Sequence, residues 1–226
     1  MKDELVSKVM DEVMKKMGIS EPACAPEESC CAQPAPACNL TEFVGTALGH
    51  TIGLVIANLD HQVHEQLKID PKYRAIGIIS DRVGAGPQIF AADEAVKATN
   101  SECLLVECPR DTEGGAGHGS LFIFGAEDVS DVRRAVEVCL REIPRTMGDV
   151  YGNSAGHLEF QYSARASYVL NKVWGAPLGK AFGITVGAPA GIGVVLADAA
   201  SKAATVDAVT IATPGNGGTS FSNEVN

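Results

Sequence analysis

The feature that most constrains this chain is an internal repeat. Four blocks recur in the same order, with offsets of 107, 106, 105 and 105 residues: Gly49-His50 with Gly156-His157, Ala75–Ile78 with Ala181–Ile184, Ala92–Ala98 with Ala197–Ala203, and Pro109 with Pro214. The small drift in offset is typical of single-residue deletions in loops. A repeat of this length predicts two copies of one domain, each of about 100 residues.

Within the first copy, short apolar runs alternate with amphipathic segments. The predicted strands are 53–57, 75–80, 103–107 and 120–124, and the predicted helices are 61–67, 91–100 and 128–143. The last helix is expected to bury the face formed by Val129, Val132, Val136, Cys139, Leu140 and Ile143, with Asp128 as its N-terminal cap. Mixed strands and helices of this kind predict a compact α/β sandwich.

The repeat divides the chain into four regions: an amphipathic helix at 1–18, a Pro/Cys-rich linker at 19–39, a first domain at 40–150 and a second, incomplete domain at 151–226. Residue 226 corresponds to about residue 121 of the first copy, so the last strand and helix have no complete counterpart. Either the chain is a truncated version of a longer protein, or these elements are absent from it. A domain without them is expected to expose an apolar sheet face.

The first helix carries one apolar stripe, which predicts a partner-binding surface: Leu5, Val6, Val9, Met10, Val13, Met14 and Met17. The linker behind it contains Cys24, Cys30, Cys31 and Cys38, whose spacing is not one of the usual zinc patterns. Free thiols are favoured there, with metal or cluster binding and disulfides as alternatives.

Charge and hydropathy exclude several classes of function. The formal net charge is −10, which argues against a nucleic-acid partner, because such binding needs clustered Lys and Arg. No run of about 18 apolar residues predicts a membrane span, and the charged N-terminus is unlike a secretory signal. We therefore expect a cytoplasmic protein with no membrane partner, whose cysteines are reduced.

The segment from Ala91 to Glu142 resembles the shell domain of bacterial microcompartments. It contains a helix of the pattern A-x-D-x-x-x-K-A, a strand, a Gly-rich loop, a second strand and a Val-rich helix. Two such copies in tandem resemble the trimeric shell proteins, and the blocks LTEFVGTALG, PRDTEGGAGHGS, GDVYGN and GTSFSNE resemble the propanediol- and ethanol-utilisation type. The likeness covers residues 40–226.

This resemblance implies two circularly permuted shell domains, the second one truncated, and a non-enzymatic homotrimer that forms a six-sided tile. Its implied partners are hexameric and pentameric shell proteins, the enclosed enzymes and small polar metabolites such as glycerol or propanediol. The N-terminal helix is then expected to tether enzymes or shell partners. The alternative interpretation is a sensor module that binds a small molecule, a metal or an iron–sulfur cluster.

Three loops that contain glycine are the candidate pore or channel lining. The loop at 110–120 has its counterpart at 213–220, and a shorter loop, Gly84–Pro87, precedes a helix without completing a dinucleotide-binding pattern. The candidate lining residues are Gly84, Gly86, Asp111, Glu113, Gly114, Gly115, His118, Ser120, Asn216, Gly217 and Ser220.

No catalytic residue, cofactor or metal site is expected. Ser120 and His118 are close in sequence, but no strained nucleophile elbow surrounds Ser120 and no orienting carboxylate can be identified. His61 and His64 lie three residues apart on a predicted helix, where we expect a solvated face rather than metal ligands.

Overall fold

A computed structural model describes residues 41–82, 85–109 and 119–211 of the chain. The chain divides into two units, Met1–Cys38 and Asn39–Asn226, and all described residues belong to the second. The predicted N-terminal helix and the Cys-rich linker therefore lie outside the described residues. No helix within the described ranges is both long and apolar enough to cross a lipid bilayer.

The first copy is a five-stranded antiparallel sheet with three helices. Its elements are β1 (Thr41–Ala47), β2 (Thr51–Ile56), α1 (His61–Leu67), β3 (Ala75–Asp81), α2 (Gly86–Ala98), β4 (Glu102–Glu107), β5 (Ser120–Ala126) and α3 (Val129–Thr146). The strands lie in the order β1-β2-β3-β5-β4. The main core lies between one face of this sheet and the helices α2 and α3, and a smaller apolar cluster packs on the other face.

The second copy repeats the first five of these elements. They are β6 (Asp149–Asn153), β7 (Gly156–Ser163), α4 (Tyr168–Trp174), β8 (Phe182–Ala188) and α5 (Ala190–Ala203), with a sheet in the order β6-β7-β8. Within the described residues there is no counterpart of β4, β5 or α3. Residues 207–211, which correspond to 102–106 of β4, form no strand.

One local hydrogen bond and one helix end of the first copy recur in the second. The Leu59 N–H donates to the Arg74 carbonyl at 2.9 Å, and 107 residues later the Ala166 N–H donates to the Lys180 carbonyl at 2.7 Å. The helices that follow both end at a residue in the left-handed conformation, Lys68 with φ of 54° and Gly175 with φ of 69°. The repeat predicted from the sequence is therefore a repeat of structure.

Several details differ from the sequence-based expectations. Helix α2 begins at Gly86 rather than at residue 91, because Pro87 fits the first turn of a helix, where its missing N–H costs nothing. Asp128 occupies the N-cap position of α3, but its side chain makes no capping hydrogen bond. Val129 was predicted to be buried and is 43 % exposed, since the core begins one turn later at Val132.

The prediction of a solvated face for both histidines of α1 was wrong for His64. His61 is exposed and lies 3.3 Å from the carboxylate of Glu65. His64 is buried, and its Nδ1 lies 3.3 Å from the carbonyl oxygen of Ile69. The polar ring is thus accommodated in the interior by one backbone partner, which a sequence pattern does not reveal.

Candidate functional site

The two copies are joined inside the chain by a buried carboxylate. Asp93 on α2 accepts the backbone N–H of Ser167 at both carboxylate oxygens, at 3.1 and 3.0 Å, and that of Leu170 at 3.1 Å. These N–H groups belong to the first turn of α4, where no bond within the helix can use them. A carboxylate there satisfies the orphan donors and complements the helix dipole.

Lys97 completes this contact one helical turn after Asp93. Its Nζ lies 3.2 Å from Asp93 and 2.7 Å from Glu94, and it donates to the carbonyl oxygen of Arg165 at 2.9 Å. The ammonium group therefore neutralises two carboxylates and bridges to the second copy. Because the Asp93 side chain has no solvent exposure, this partner is needed to offset its desolvation.

An aromatic cluster extends the junction on its apolar side. The Phe90 ring on α2 packs against Trp174 on α4, with 5.7 Å between ring centroids, and against Phe182 on β8 at 6.4 Å. Phe90 is 1 % exposed, so these contacts are part of the main core. Such pairs contribute about 0.5–1.5 kcal/mol beyond the burial of their area. We call the contact between the two copies the inner junction. It comprises the cluster of Phe90, Trp174 and Phe182 together with the hydrogen bonds of Asp93.

Gly86, the first residue of α2, lies where this helix approaches β7 and β8. A Cβ atom there would lie 2.8 Å from Oε1 of Gln161 and 3.4 Å from Cδ1 of Ile184, so a side chain at this position would displace the amide end of Gln161. Gln161 itself donates to the carbonyl oxygen of Met147 at 3.2 Å. The candidate lining residue Gly86 is thus buried between the two copies in the single chain.

The base of the longer Gly-rich loop is anchored by a small polar network. The Ser120 hydroxyl, fully buried at the start of β5, donates to the carboxylate of Asp81 at the end of β3. The Ser80 hydroxyl donates to the carbonyl oxygen of Ser120 at 2.9 Å. The Gly119 N–H donates to the Pro109 carbonyl oxygen at 3.1 Å and closes the loop where it leaves the sheet.

This network lies beside the points at which the chain enters two loops that the sequence singled out in the first copy. Asp81 and Ser120 are directly opposite in the β3–β5 register, so the segment after residue 82 and the segment before residue 119 leave the same end of the sheet. No local sequence pattern indicates this pairing, because the two residues are 39 positions apart. The other candidate lining residues lie outside the described residues: Gly84, Asp111, Glu113, Gly114, Gly115, His118, Asn216, Gly217 and Ser220.

The three described cysteines lie in surroundings that disfavour the reactive thiolate form. Burial raises the pKa of Cys103 and that of Cys108 to about 12, and it raises the pKa of Cys139 well above its ordinary range. All three are free thiols. Within the described ranges, no three His, Cys, Asp or Glu side chains lie close enough to hold a metal ion. The linker cysteines lie outside these ranges.

The second copy exposes an apolar surface that the first copy buries. Leu158, Phe160 and Tyr162 alternate along one face of β7 and are all exposed. The same positions in the first copy, Thr51, Gly53 and Val55, are buried. In addition, no residue of α5 is buried, although nine residues of the equivalent α2 are. Surfaces of this kind mark interaction sites in folded proteins.

Comparisons with solved structures define the class of fold. The chain superimposes on the crystal structure of EtuB from Clostridium kluyveri with a TM-score of 0.74 and 56 % identity, covering 79 % of this chain and 78 % of that one. It superimposes on a trimeric bacterial microcompartment shell protein PduB with a TM-score of 0.70 and 52 % identity, covering 74 % of each chain. The fold is therefore the tandem-domain fold of these proteins.

Sequence comparisons agree with the structural ones. The BMC domain family matches residues 75–155, from β3 to just beyond β6. The bacterial microcompartment shell protein PduB of Salmonella typhimurium is 54 % identical over 231 aligned residues, which cover 98 % of this chain and 83 % of the relative. The chain belongs to the family of bacterial microcompartment shell proteins.

The comparisons thus confirm the resemblance found in the sequence and the shell role that it implied. They give no support to the alternative of a metal- or cluster-binding sensor. What the sequence missed is the role of the repeated Asp and Lys. Asp93 and Lys97 stood out only as part of a repeated block, whereas in the structure they hold the two copies together.

Proposed function

We propose that the chain is a homotrimeric tile of a microcompartment shell, and that it acts without catalysis. The observation that carries this proposal is the apolar surface of the second copy, which is exposed among the residues that the structure describes. Two domains per chain in three chains give six domains around one axis, which suits a six-sided tile. The similar PduB structure is described as trimeric.

The oligomeric state is measured by light scattering after size exclusion, under reducing conditions. Three chains of 23.5 kDa make a particle of about 70 kDa, and we expect that mass across a tenfold dilution series. A stable 23.5 kDa monomer would contradict the proposed tile.

We also propose that the loops around residues 110–120 and 213–220 pass small polar metabolites such as glycerol or propanediol. The shared exit of two first-copy loops from one end of the sheet supports a single lining there. A double variant, Gly114→Trp/Gly115→Trp, is expected to slow consumption of substrate by intact compartments. The control is the same preparation after lysis, in which consumption should be unchanged. Equal rates in intact wild-type and variant compartments would contradict the role of the loop.

Residues 1–38 are proposed to tether enclosed enzymes or neighbouring hexameric and pentameric shell proteins. The support is the apolar stripe of the N-terminal sequence, which suits a partner's groove. Removal of residues 1–38 should reduce the amount of enzyme that sediments with purified shells. A matched control replaces three residues of the polar face, Lys8, Glu12 and Lys15, with alanine. Undiminished enzyme after the deletion would contradict the tether.

A further inference from the structure

Strand β4 lies at the edge of the sheet of the first copy. In the order β1-β2-β3-β5-β4 it pairs with β5, and no other strand in the described part of the chain lies along its outer side. The backbone N–H and C=O groups on the outer side of an edge strand can pair with a further strand, including one from another molecule. The outer edge of β4 is therefore a surface for strand addition unless other residues cover it.

The sequence of β4 favours such addition. Its four central residues, Cys103–Val106, are apolar and include neither glycine nor proline. Short segments with this composition and a high preference for β-structure are the ones that pair with other chains. Edge strands are often protected by a lysine or a proline within the strand, and β4 has neither. Any protection of this edge must therefore come from another element.

A lysine of the second copy occupies part of this edge. The Nζ of Lys172, on α4, donates to the carbonyl oxygen of Leu104 at 2.8 Å and to that of Cys103 at 3.3 Å. Both acceptors are main-chain atoms of β4, and hydrogen bonds from an ammonium group are stronger than those between neutral groups. A strand that approached along this side would have to displace the lysine.

An irregularity in β4 explains how one ammonium group reaches two consecutive carbonyls. In a regular strand, consecutive carbonyl groups point to opposite sides, so one of the two would face β5. The register between β4 and β5 shifts between Cys103 and Leu105, where Leu104 is the extra residue. A bulge leaves its extra residue unpaired and increases the local twist of the strand. The bulge and the lysine, two known protections of an edge, thus coincide at the same residues.

The inner junction determines where Lys172 lies. Helix α4 is held at its start by Asp93 and at its end by the packing of Trp174 on Phe90. At the offset of 107 residues, the equivalent of Lys172 on α1 is Glu65, whose carboxylate cannot donate to a carbonyl oxygen. Among the described residues, the lysine is therefore found on the helix that lies beside a strand edge and not on its repeat.

We infer that Lys172 closes the outer edge of β4 against strand addition by a second copy of this chain. The partner is a second copy because identical short segments pair readily with one another, and every copy carries the same edge. The contact that Lys172 prevents is a pairing of strand edges. It is separate from the proposed trimer, so the inference applies to a monomer as well as to a tile.

The test is a graded series of variants at position 172. Lys172→Met keeps the length of the side chain but donates no hydrogen bond, so the fraction of chain in particles heavier than those of the wild type should rise by about threefold or more. Lys172→Gln keeps one shorter donor group and should give an intermediate fraction. Lys172→Arg keeps donors for both carbonyl oxygens and should behave as the wild type. The control for the lost charge is Lys180→Met, because Lys180 is another exposed lysine of the second copy, and it should leave the fraction unchanged.

Three measurements are made on each variant. Light scattering after size exclusion gives the heavy fraction, the amide I band of the infrared spectrum reports intermolecular β-sheet, and circular dichroism checks the fold. We expect the heavy fraction and the β-sheet signal to rise together in the order Arg, Gln, Met at position 172.

Four results would overturn the inference. Equal heavy fractions across the series would show that the ammonium group does not protect the edge. Heavy particles of Lys172→Met without intermolecular β-sheet would show that another surface associates. An equal rise in Lys180→Met would assign the effect to the loss of charge. If Lys172→Met does not fold, the comparison of Lys172→Gln with Lys172→Arg decides, and equal fractions in those two contradict the role of Lys172.

Discussion

The carboxylate of Asp93 holds the backbone N–H of Ser167 between its two oxygens, at 3.1 and 3.0 Å, and thereby ties the second copy to the first. The start of α4 carries a serine at its N-cap position whose side chain makes no capping bond. The cap is supplied instead from another domain, 74 residues away in sequence. The N-terminus of α4 is thus part of the contact between the two copies.

Removal of this carboxylate should destabilise the whole folded unit. Asp93→Ala leaves two N–H groups of α4 without an acceptor and leaves Lys97 with one carboxylate fewer, so the free energy of unfolding should fall by about 2–4 kcal/mol. Urea unfolding followed by circular dichroism measures the change. Asp128→Ala is the control, since Asp128 occupies an N-cap position without a side-chain bond, and it should cost no more than about 0.5 kcal/mol. An equal loss of stability in the two variants would show that the hydrogen bonds from Asp93 to α4 do not stabilise the folded unit.

Much of the fold could be predicted because the repeat and the alternation of apolar runs are local features. The strands at 75–81 and 120–126 and helices at 61–67 and 129–146 lie where these patterns indicated. The edge strand β1 was not predicted, because residues 41–47 are only partly buried and carry no clear alternation of apolar residues.

The site could be predicted only in part. The Gly-rich loops were recognisable from composition, but the Ser80–Asp81–Ser120 network depends on strand register, which no local pattern specifies. Burial of His64 likewise depends on the carbonyl oxygen of Ile69 meeting its ring. The expected apolar face on the second copy agrees with the exposed side chains of β7.

Because α3 packs tightly on the sheet, we expect the free energy of unfolding to be sensitive to a substitution at Gly77. A Cβ atom at Gly77 would lie 2.7 Å from Cγ2 of Val136 and 3.0 Å from the carbonyl oxygen of Val132. Gly77→Ala should therefore push α3 away from β3 and lower the free energy of unfolding by about 1–3 kcal/mol. Gly152→Ala on β6 is the control, because its nearest neighbour would be 3.8 Å away, and its stability should be unchanged or slightly higher. A Gly77→Ala variant as stable as that control would contradict this packing.

The described thiols should resist alkylation while the chain is folded. Only the thiolate is a good nucleophile, and burial keeps Cys103, Cys108 and Cys139 protonated at pH 8. Peptide mass mapping after brief treatment with iodoacetamide should find these three unlabelled in the native chain and labelled in urea. Rapid labelling of Cys108 in the native chain would contradict its burial. The linker cysteines provide an internal comparison in the same digest.

The same burial predicts a loss of stability at alkaline pH. The pKa of Cys108 rises from an ordinary value of 9.0 to about 12, so above pH 9 the unfolded chain loses a proton that the folded chain keeps. The folded state binds more protons in that window, and its stability must therefore fall as pH rises from about 9 towards 12. Cys108→Ala removes this contribution, so between pH 8 and pH 10.5 the variant should lose about 1–2 kcal/mol less than the wild type. Lysine and tyrosine side chains titrate in both proteins and cancel in the difference. Urea unfolding at the two pH values measures the loss of stability in each protein. If both proteins lose the same amount, the thiol of Cys108 ionises near its ordinary pKa in the folded chain and the prediction is wrong.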